Sequence, residues 1–359
     1  MSRGFRLAGY VALAYTLVIV YASLQPFAGW RAPPDEVLHF LTAPWPRYVT
    51  AGDIMLNILA YVPLGAMLFY ALRPPLAAAV ACVLAIVLSA ALSLALESTQ
   101  MFLPSRIASN VDLISNTAGS AIGALGALLL ALWNDPLAAL RRRMIRADSF
   151  GDCGLLIAAL WVFVQFHPAR LAFSSGDLRD MLDITPMFTH TSHTHLLAEA
   201  AVAGCAVITM GLLVSLLMLS RRYALHAMAL TLVPTLVAKS VAAILVGRAA
   251  NWIQWLTPGV ALGLATGGIL LLLLLLWLAP WAHAAVAILC LIASVAVVNV
   301  TPENPYQMPP PHILSVQPTH LNNFGNIART LSICWPFAAL ILLLGLARAR
   351  GGASGYNSP

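Results

Sequence analysis

Uninterrupted apolar runs of about 18 residues or more constrain this chain more than any other feature. Coiled as α-helix at about 1.5 Å per residue, such a run spans the hydrocarbon core of a bilayer. The runs recur along 359 residues, of which only 9% are charged. Soluble domains carry roughly 25% charged residues. The runs are continuous and do not alternate, which excludes an outer-membrane barrel. The sequence therefore reads as an all-α polytopic membrane protein of about ten transmembrane helices.

The expected spans, in order, are Leu7–Leu24, Asp53–Leu72, Leu76–Thr99 and Asp112–Trp133, then Cys153–Phe166, His195–Leu219, Ala224–Val246, Thr257–Leu278, a ninth ending near Val300, and Thr330–Leu346. The first span follows Arg3 and Arg6 and has no small-residue cleavage site after it, so it reads as a retained signal anchor. A Pro- and Trp-rich stretch (Pro26, Trp30, Pro34, Trp45, Pro46) follows span one, and Arg73-Pro74-Pro75 turns span two into span three. The four-span and six-span groups are separated by a loop over 134–152 that carries Arg141, Arg142, Arg143 and Arg146. No internal repeat supports an inverted-repeat transporter.

Arginine sets the expected orientation. With the N-terminus inside, Arg3, Arg6, Arg73, Arg141, Arg142, Arg143, Arg146, Arg221, Arg222, Arg348 and Arg350 are cytoplasmic. Arg31, Arg47, Arg106, Arg170, Arg179, Arg248 and Arg329 are outside. The inner side leads and holds every cluster, so the positive-inside rule predicts N-in and C-in. The net charge of +6 is spread over such short loops, so it marks topology and gives no nucleic-acid signal. The five cysteines form no CxxC pair and read as small packing residues.

Polar side chains converge at one depth. Asp53 and Asn57 share a helix face, as do Asp112 and Asn116, and Glu97 and Gln100. On the predicted topology all six lie near the outer ends of spans two to four, with Arg106 on the loop between them. Asp53 and Asp112 also suit plain helix N-terminal capping. Asn57, Gln100 and Asn116 suit interhelical hydrogen bonding, and Gly119 and Gly123 suit close helix packing. Glu97 closes its helix, where the dipole disfavours an anion, and so needs a cation; Arg106 is the expected partner.

These residues fall into recurring motifs: Tyr21-Ala-Ser-Leu-Gln-Pro-Phe27, Asp53-x3-Asn57, and Tyr61-Val-Pro-Leu-Gly65. Glu97-x2-Gln100-x3-Pro104-x-Arg106 and Asp112-x3-Asn116-x2-Gly119 follow. In this order they resemble the VanZ-like membrane proteins, known from a glycopeptide (teicoplanin) resistance accessory protein. The resemblance covers roughly residues 10–132. It implies an envelope protein of the bacterial inner (cytoplasmic) membrane, linked to glycopeptide susceptibility, with Asp53, Asn57, Pro63, Gly65, Glu97, Gln100, Pro104, Arg106, Asp112, Asn116 and Gly119 at family-like positions. The expected division is a VanZ-like four-helix domain over 1–135, a cytoplasmic Arg-rich linker over 136–152, a six-helix region over 153–347 and a flexible tail over 348–359.

The last six spans carry other polar groups. His190, His193, His195 and Glu199 gather where a loop enters span six, near Asp177, Asp180 and Asp183. The pattern is not HExxH, so no metal is assigned, and these histidines are the residues that would hold one. Lys239 is placed to pair with Glu199 or to snorkel outward. A last polar loop carries His312, His320, Asn322, Asn323, Asn326 and Arg329. No phosphate loop, nucleotide motif or other cofactor signature is visible.

The leading expectation is a membrane domain that binds a lipid or lipid-linked, cell-wall-related ligand through Asp53, Asn57, Glu97, Gln100, Arg106, Asp112 and Asn116. Arg106 would meet an anionic head group. No protein partner is expected. An alternative is a hydrolase or transferase acting on an envelope lipid, with Glu97 or Asp112 as general base and Arg106 stabilising an anion. A transporter ranks third, because the polar groups gather near one face and leave the midplane apolar.

Overall fold

The computed structural model describes residues 3–25, 27–33, 36–45, 49, 51–73, 76–133, 136–166, 171–220, 223–245, 252–302 and 319–354. Side chains at 3–7, 52, 136–138, 224–225, 227, 245, 319–327 and 350–354 are not part of that description. Expectations for Pro26, Pro34, Pro46, Arg47, Pro74, Pro75, Arg170, Arg221, Arg222, Arg248 and His312 fall outside the described residues. So do those for the side chains of Arg3, Arg6, His320, Asn322, Asn323, Asn326 and Arg350.

The regular elements among the described residues are helices, with no strand. In order the helices are α1 (Arg3–Leu24), α2 (Ala51–Leu72), α3 (Ala78–Gln100), α4 (Asn110–Leu132), α5 (Pro136–Met144) and α6 (Ser149–Val164). They continue with α7 (Arg179–Leu182), α8 (Ser192–Leu217), α9 (Ala224–Leu245), α10 (Pro258–Trp277), α11 (His283–Val300) and α12 (Thr319–Ser354). Among the described residues, seven helices are long and apolar enough to cross a membrane: α2, α3, α4, α8, α10, α11 and the Ala328–Ala349 part of α12. Three shorter apolar helices, Ala8–Leu24, Ser149–Val164 and Met228–Ile244, occupy the other expected spans. The chain is a multi-pass membrane protein.

Some expected boundaries differ from the structure. The arginine-rich stretch expected as a loop contains α5, because Leu, Ala, Arg and Met are strong helix formers. The last helix begins at Thr319 rather than Thr330, since its polar opening turns lack the apolar signal of a span but coil all the same.

The chain forms two compact units, Met1–Arg141 with Pro318–Phe324, and Arg142–Gln317 with Gly325–Pro359. In the first unit, α2 packs on α1, α3 and α4. Its helices bury small and polar residues and turn large apolar ones outward. On α3, Ala81, Ala85, Ser89, Ser93, Glu97 and Gln100 form the buried stripe, while Val80, Val83, Val87 and Leu88 are exposed. This inverts the soluble pattern and suits a lipid surround, where apolar residues lose nothing by facing out. The α2–α4 seam is the tightest. A Cβ on Gly119 would lie 2.9 Å from the Ile58 Cα, and one on Gly123 would run into the Val62 carbonyl oxygen. Gly65 meets the Ser120 backbone in the same way from the α2 side. These glycines let two backbones touch.

In the second unit α8 is the centre, almost wholly buried against α6, α9, α10 and α11. Backbone bonds from Arg146 N–H to the Leu217 carbonyl (3.0 Å) and from Leu219 N–H to the Met144 carbonyl (2.8 Å) tie the approach to α6 onto the end of α8. Asp148 caps α6 by accepting from Gly151 N–H at 3.0 Å, which starts the helix at Ser149 and not at the expected Cys153. On α12, Trp335 donates to the Ile157 carbonyl of α6 at 2.9 Å and stacks near Trp161, with ring centroids 4.7 Å apart.

The seam geometry predicts unequal glycine sensitivities. Gly123→Ala forces the α2 backbone to move and lowers stability by about 1–3 kcal/mol. Gly126→Ala, whose Cβ would meet nothing within 4 Å, is neutral or stabilising by up to about 1 kcal/mol. Thermal unfolding of the two purified variants in detergent checks the contrast.

Candidate functional site

The candidate site is built from helix ends. The C-terminal ends of α1 and α3 meet the N-terminal ends of α2 and α4, so four sets of unpaired backbone groups gather at one end of the first unit. α1 stops at the Tyr21–Phe27 motif. Its last four carbonyls are all accounted for. Tyr21 O accepts from Gln25 N–H and Leu24 O from Phe27 N–H, both at 3.0 Å. Ser23 O accepts from Gln100 Nε2 at 3.1 Å, and Ala22 O from Arg106 Nη2 at 2.9 Å. Arg106 also binds the Gln25 carbonyl through Nε at 3.1 Å and Nη2 at 2.8 Å. Beyond the helix, Phe27 turns into left-handed backbone at φ 58° and packs against Tyr21.

Arg106 therefore serves the end of α1. The expected Glu97–Arg106 ion pair is absent among the described residues: no contact within 4 Å joins them. They still feel each other, since burial pulls the Arg106 pKa below its usual value while the Glu97 charge pushes it back up. The side chains are buried, Glu97 at 4% and Arg106 at 7% exposure. One guanidinium nitrogen, Nη1, is buried without an acceptor.

Glu97 takes a different partner. Its Oε2 accepts from the Ser109 backbone N–H at 2.8 Å. Ser109 is the N-cap of α4, and its hydroxyl accepts from Val111 N–H and Asp112 N–H at 3.2 and 3.3 Å. The wrong end of α3 for an anion is thus the right end of α4, where the dipole is positive. In an ordinary capping box the N-cap N–H goes to the third residue of the same helix. Here Glu97 takes that bond from another helix. Asp112, which holds the third position, is released to receive Asn57 Nδ2 at 2.9 Å. Ser109, and not Asp112, is the cap. Asp53 sits in the first turn of α2, near enough to Asp112 for their charges to interact.

Deeper, Asn116 Nδ2 donates to Ser93 Oγ at 2.9 Å, joining α4 to α3. Tyr61, buried on α2 one turn from Asn57, lies beside Ser93 and within the field of Glu97 and Asp112. The preceding loop is drawn over this end. Arg31 N–H bonds the Phe102 carbonyl at 3.0 Å, and Asn110 Nδ2 bonds the Ala43 carbonyl at 2.8 Å. Ser93 and Ser109 are not among the residues expected from the sequence, and Tyr61 is expected only as part of its motif. Ser109-x2-Asp112 carries a capping signal, and Ser93 shares a helical stripe with Glu97 and Gln100.

The second unit arranges its polar groups otherwise. The His190 and His195 rings lie 5.6 Å apart, and His195 Nε2 is 3.4 Å from Glu199 Oε1. Glu199 Oε2 accepts from Thr257 Oγ1 at 2.7 Å. Asp177 pairs with Arg179 and Asp180 with Arg329, which turns them to arginines instead of the histidines. Among the described residues no group of three or more His, Cys, Asp or Glu could hold a metal, so His190, His193 and His195 are not gathered as ligands. The expected Glu199–Lys239 pair is not made either. Glu199 faces α10, while Lys239 places its ammonium 5.8 Å from the centre of the Phe173 ring.

Substitutions separate these roles. Arg106→Ala removes its hydrogen bonds to the Ala22 and Gln25 carbonyls and lowers stability by about 1–3 kcal/mol. Glu97→Gln keeps an oxygen on Ser109 N–H and stays within about 1 kcal/mol of the parent, whereas Glu97→Ala loses about 1–3 kcal/mol. Thermal unfolding in detergent measures all three.

Compared with known proteins, residues 8–132 match the VanZ/LLP1 family. No curated protein and no solved structure matches the chain. The matched segment holds α1 to α4 almost whole, including the α1 terminus, both clasping side chains, the Glu97–Ser109 bond and the glycine seam. The four-helix part of this chain is a VanZ-like domain.

Proposed function

We propose that the VanZ-like domain holds a lipid or lipid-linked, cell-wall-related ligand of the bacterial envelope, in the inner (cytoplasmic) membrane, and thereby affects glycopeptide (teicoplanin) susceptibility. The observation that carries this reading is the Nη1 of Arg106, buried and without an acceptor at the polar end of the four helices. Buried donors are rarely left unmet. A phosphate oxygen of a carrier lipid is an acceptor of the right charge for Nη1, and a charge-assisted bond of that kind is short and strong. Half-buried Asp53 and Asn57 at the same end supply an acceptor and a donor for polar groups carried by that phosphate. On the arginine-based orientation this end faces outward, where lipid-linked wall intermediates are used.

The polar side chains mainly satisfy one another and the backbone, which favours binding over acid–base chemistry. Glu97 is committed to Ser109 N–H and Asp112 to Asn57. A general base needs a reacting proton within reach, and one oxygen of each carboxylate already holds a donor of the protein itself.

Native mass spectrometry of the full-length protein in nanodiscs tests the reading, with a polyprenyl phosphate against a zwitterionic phospholipid as probes. Preferential retention of the polyprenyl phosphate is the expected result, and equal retention overturns it. Asp112→Asn removes a like charge from the neighbourhood of the phosphate and strengthens retention, by up to about tenfold for 1.4 kcal/mol. Weaker retention in that variant contradicts an anionic ligand. Expression in a susceptible host raises the teicoplanin concentration needed to stop growth, and an unchanged concentration removes the susceptibility link.

A further inference from the structure

The α8–α11 seam of the second unit brings two cysteines together. Its register is fixed at three places without them. Near the end of α8, Ser215 Oγ lies 3.2 Å from His283 Nδ1. Further along, Thr209 Oγ1 reaches the Ala287 carbonyl at 3.4 Å. Toward the start of α8, Ala198 and Val202 pack in one cluster with Val298. The helices thus run antiparallel, and each step back along α8 is a step forward along α11.

Cys205 is one turn before Thr209, and Cys290 is three residues after Ala287, so the register sets them opposite each other. Helical spacing keeps each on the facing stripe. The two thiols interact with each other. One turn away the Thr209 side chain reaches the backbone of α11, and a disulfide needs Cα atoms about 4.4–6.8 Å apart. Both residues are only partly buried, unlike Cys82, which is enclosed. Cys205 lies about 18–20 Å from either end of α8 by helical rise, deep in the apolar part of the span.

We propose that Cys205 and Cys290 are a redox-active pair that closes to a disulfide across the α8–α11 seam, with a bilayer quinone as oxidant. An S–S bond forms and two S–H bonds break. Both protons and two electrons pass to the quinone, which leaves as hydroquinone. At this depth water-soluble oxidants are excluded, whereas quinones dissolve in the hydrocarbon and accept two protons with two electrons. Closing the pair adds a covalent tie between the central helix of the unit and α11, in the register that the other contacts already set.

The test uses the full-length protein, purified reduced and placed in nanodiscs. Samples receive a short-chain quinone, the matching hydroquinone, or copper–phenanthroline, followed by alkylation and non-reducing peptide mass spectrometry. A Cys205–Cys290 linked peptide, lighter by two hydrogens than its reduced parts, is expected with the quinone and not with the hydroquinone. Cys205→Ser and Cys290→Ser each abolish it, with unfolding temperatures unchanged. Absence of the link even with copper–phenanthroline overturns the pairing. A link with copper–phenanthroline but none with quinone overturns the assigned oxidant and the redox role with it.

Discussion

The first unit depends on how the end of α1 is met. A helix that stops near a membrane surface leaves four carbonyls without intrahelical donors, and in a poorly hydrated setting each is costly. The chain itself supplies two N–H donors just past the terminus, from Gln25 and Phe27. The other two carbonyls are met from across the bundle by Gln100 and Arg106. This explains why an amide and a guanidinium stand at these places in an apolar chain. Arg106 is not spent on Glu97, whose carboxylate is held instead by the Ser109 backbone N–H.

The same logic runs through the rest of this end. Glu97 takes the N–H of the α4 cap, which frees Asp112 for Asn57 and so links α2 to α4. Asn116 and Ser93 repeat the link one layer deeper, between α4 and α3. Below them the glycine seam replaces polar contacts with backbone contact, so α2 and α4 stay close along their length. Polar clasp above and small-residue packing below are complementary in lipid, where apolar side chains offer helices no reason to associate.

Much of this was legible in the sequence, and the remainder was hidden for definite reasons. Spacing alone placed Asp53, Asn57, Glu97, Gln100, Asp112 and Asn116 at one end, because helical period fixes faces and span order fixes depth. Partner choice was not legible. The acceptors for Gln100 and Arg106 are main-chain carbonyls, which leave no mark on residue identity, so charge complementarity wrongly suggested Glu97 for Arg106. Depth without azimuth caused the same error in the second unit, where Glu199 and Lys239 sit on faces turned to α10 and to Phe173. The opening of α12 was overlooked because polar turns carry no span signal. Ser109 was within reach, since a serine three residues before an acid at a helix start is a capping pattern.

The most direct test of the clasp is an experimental structure of the full-length protein in lipid nanodiscs, at a resolution that shows the Arg106 guanidinium. The account predicts that guanidinium on the Ala22 and Gln25 carbonyls, with the Glu97 carboxylate on Ser109 N–H. An Arg106–Glu97 ion pair, with the α1 carbonyls left to other donors, would contradict it.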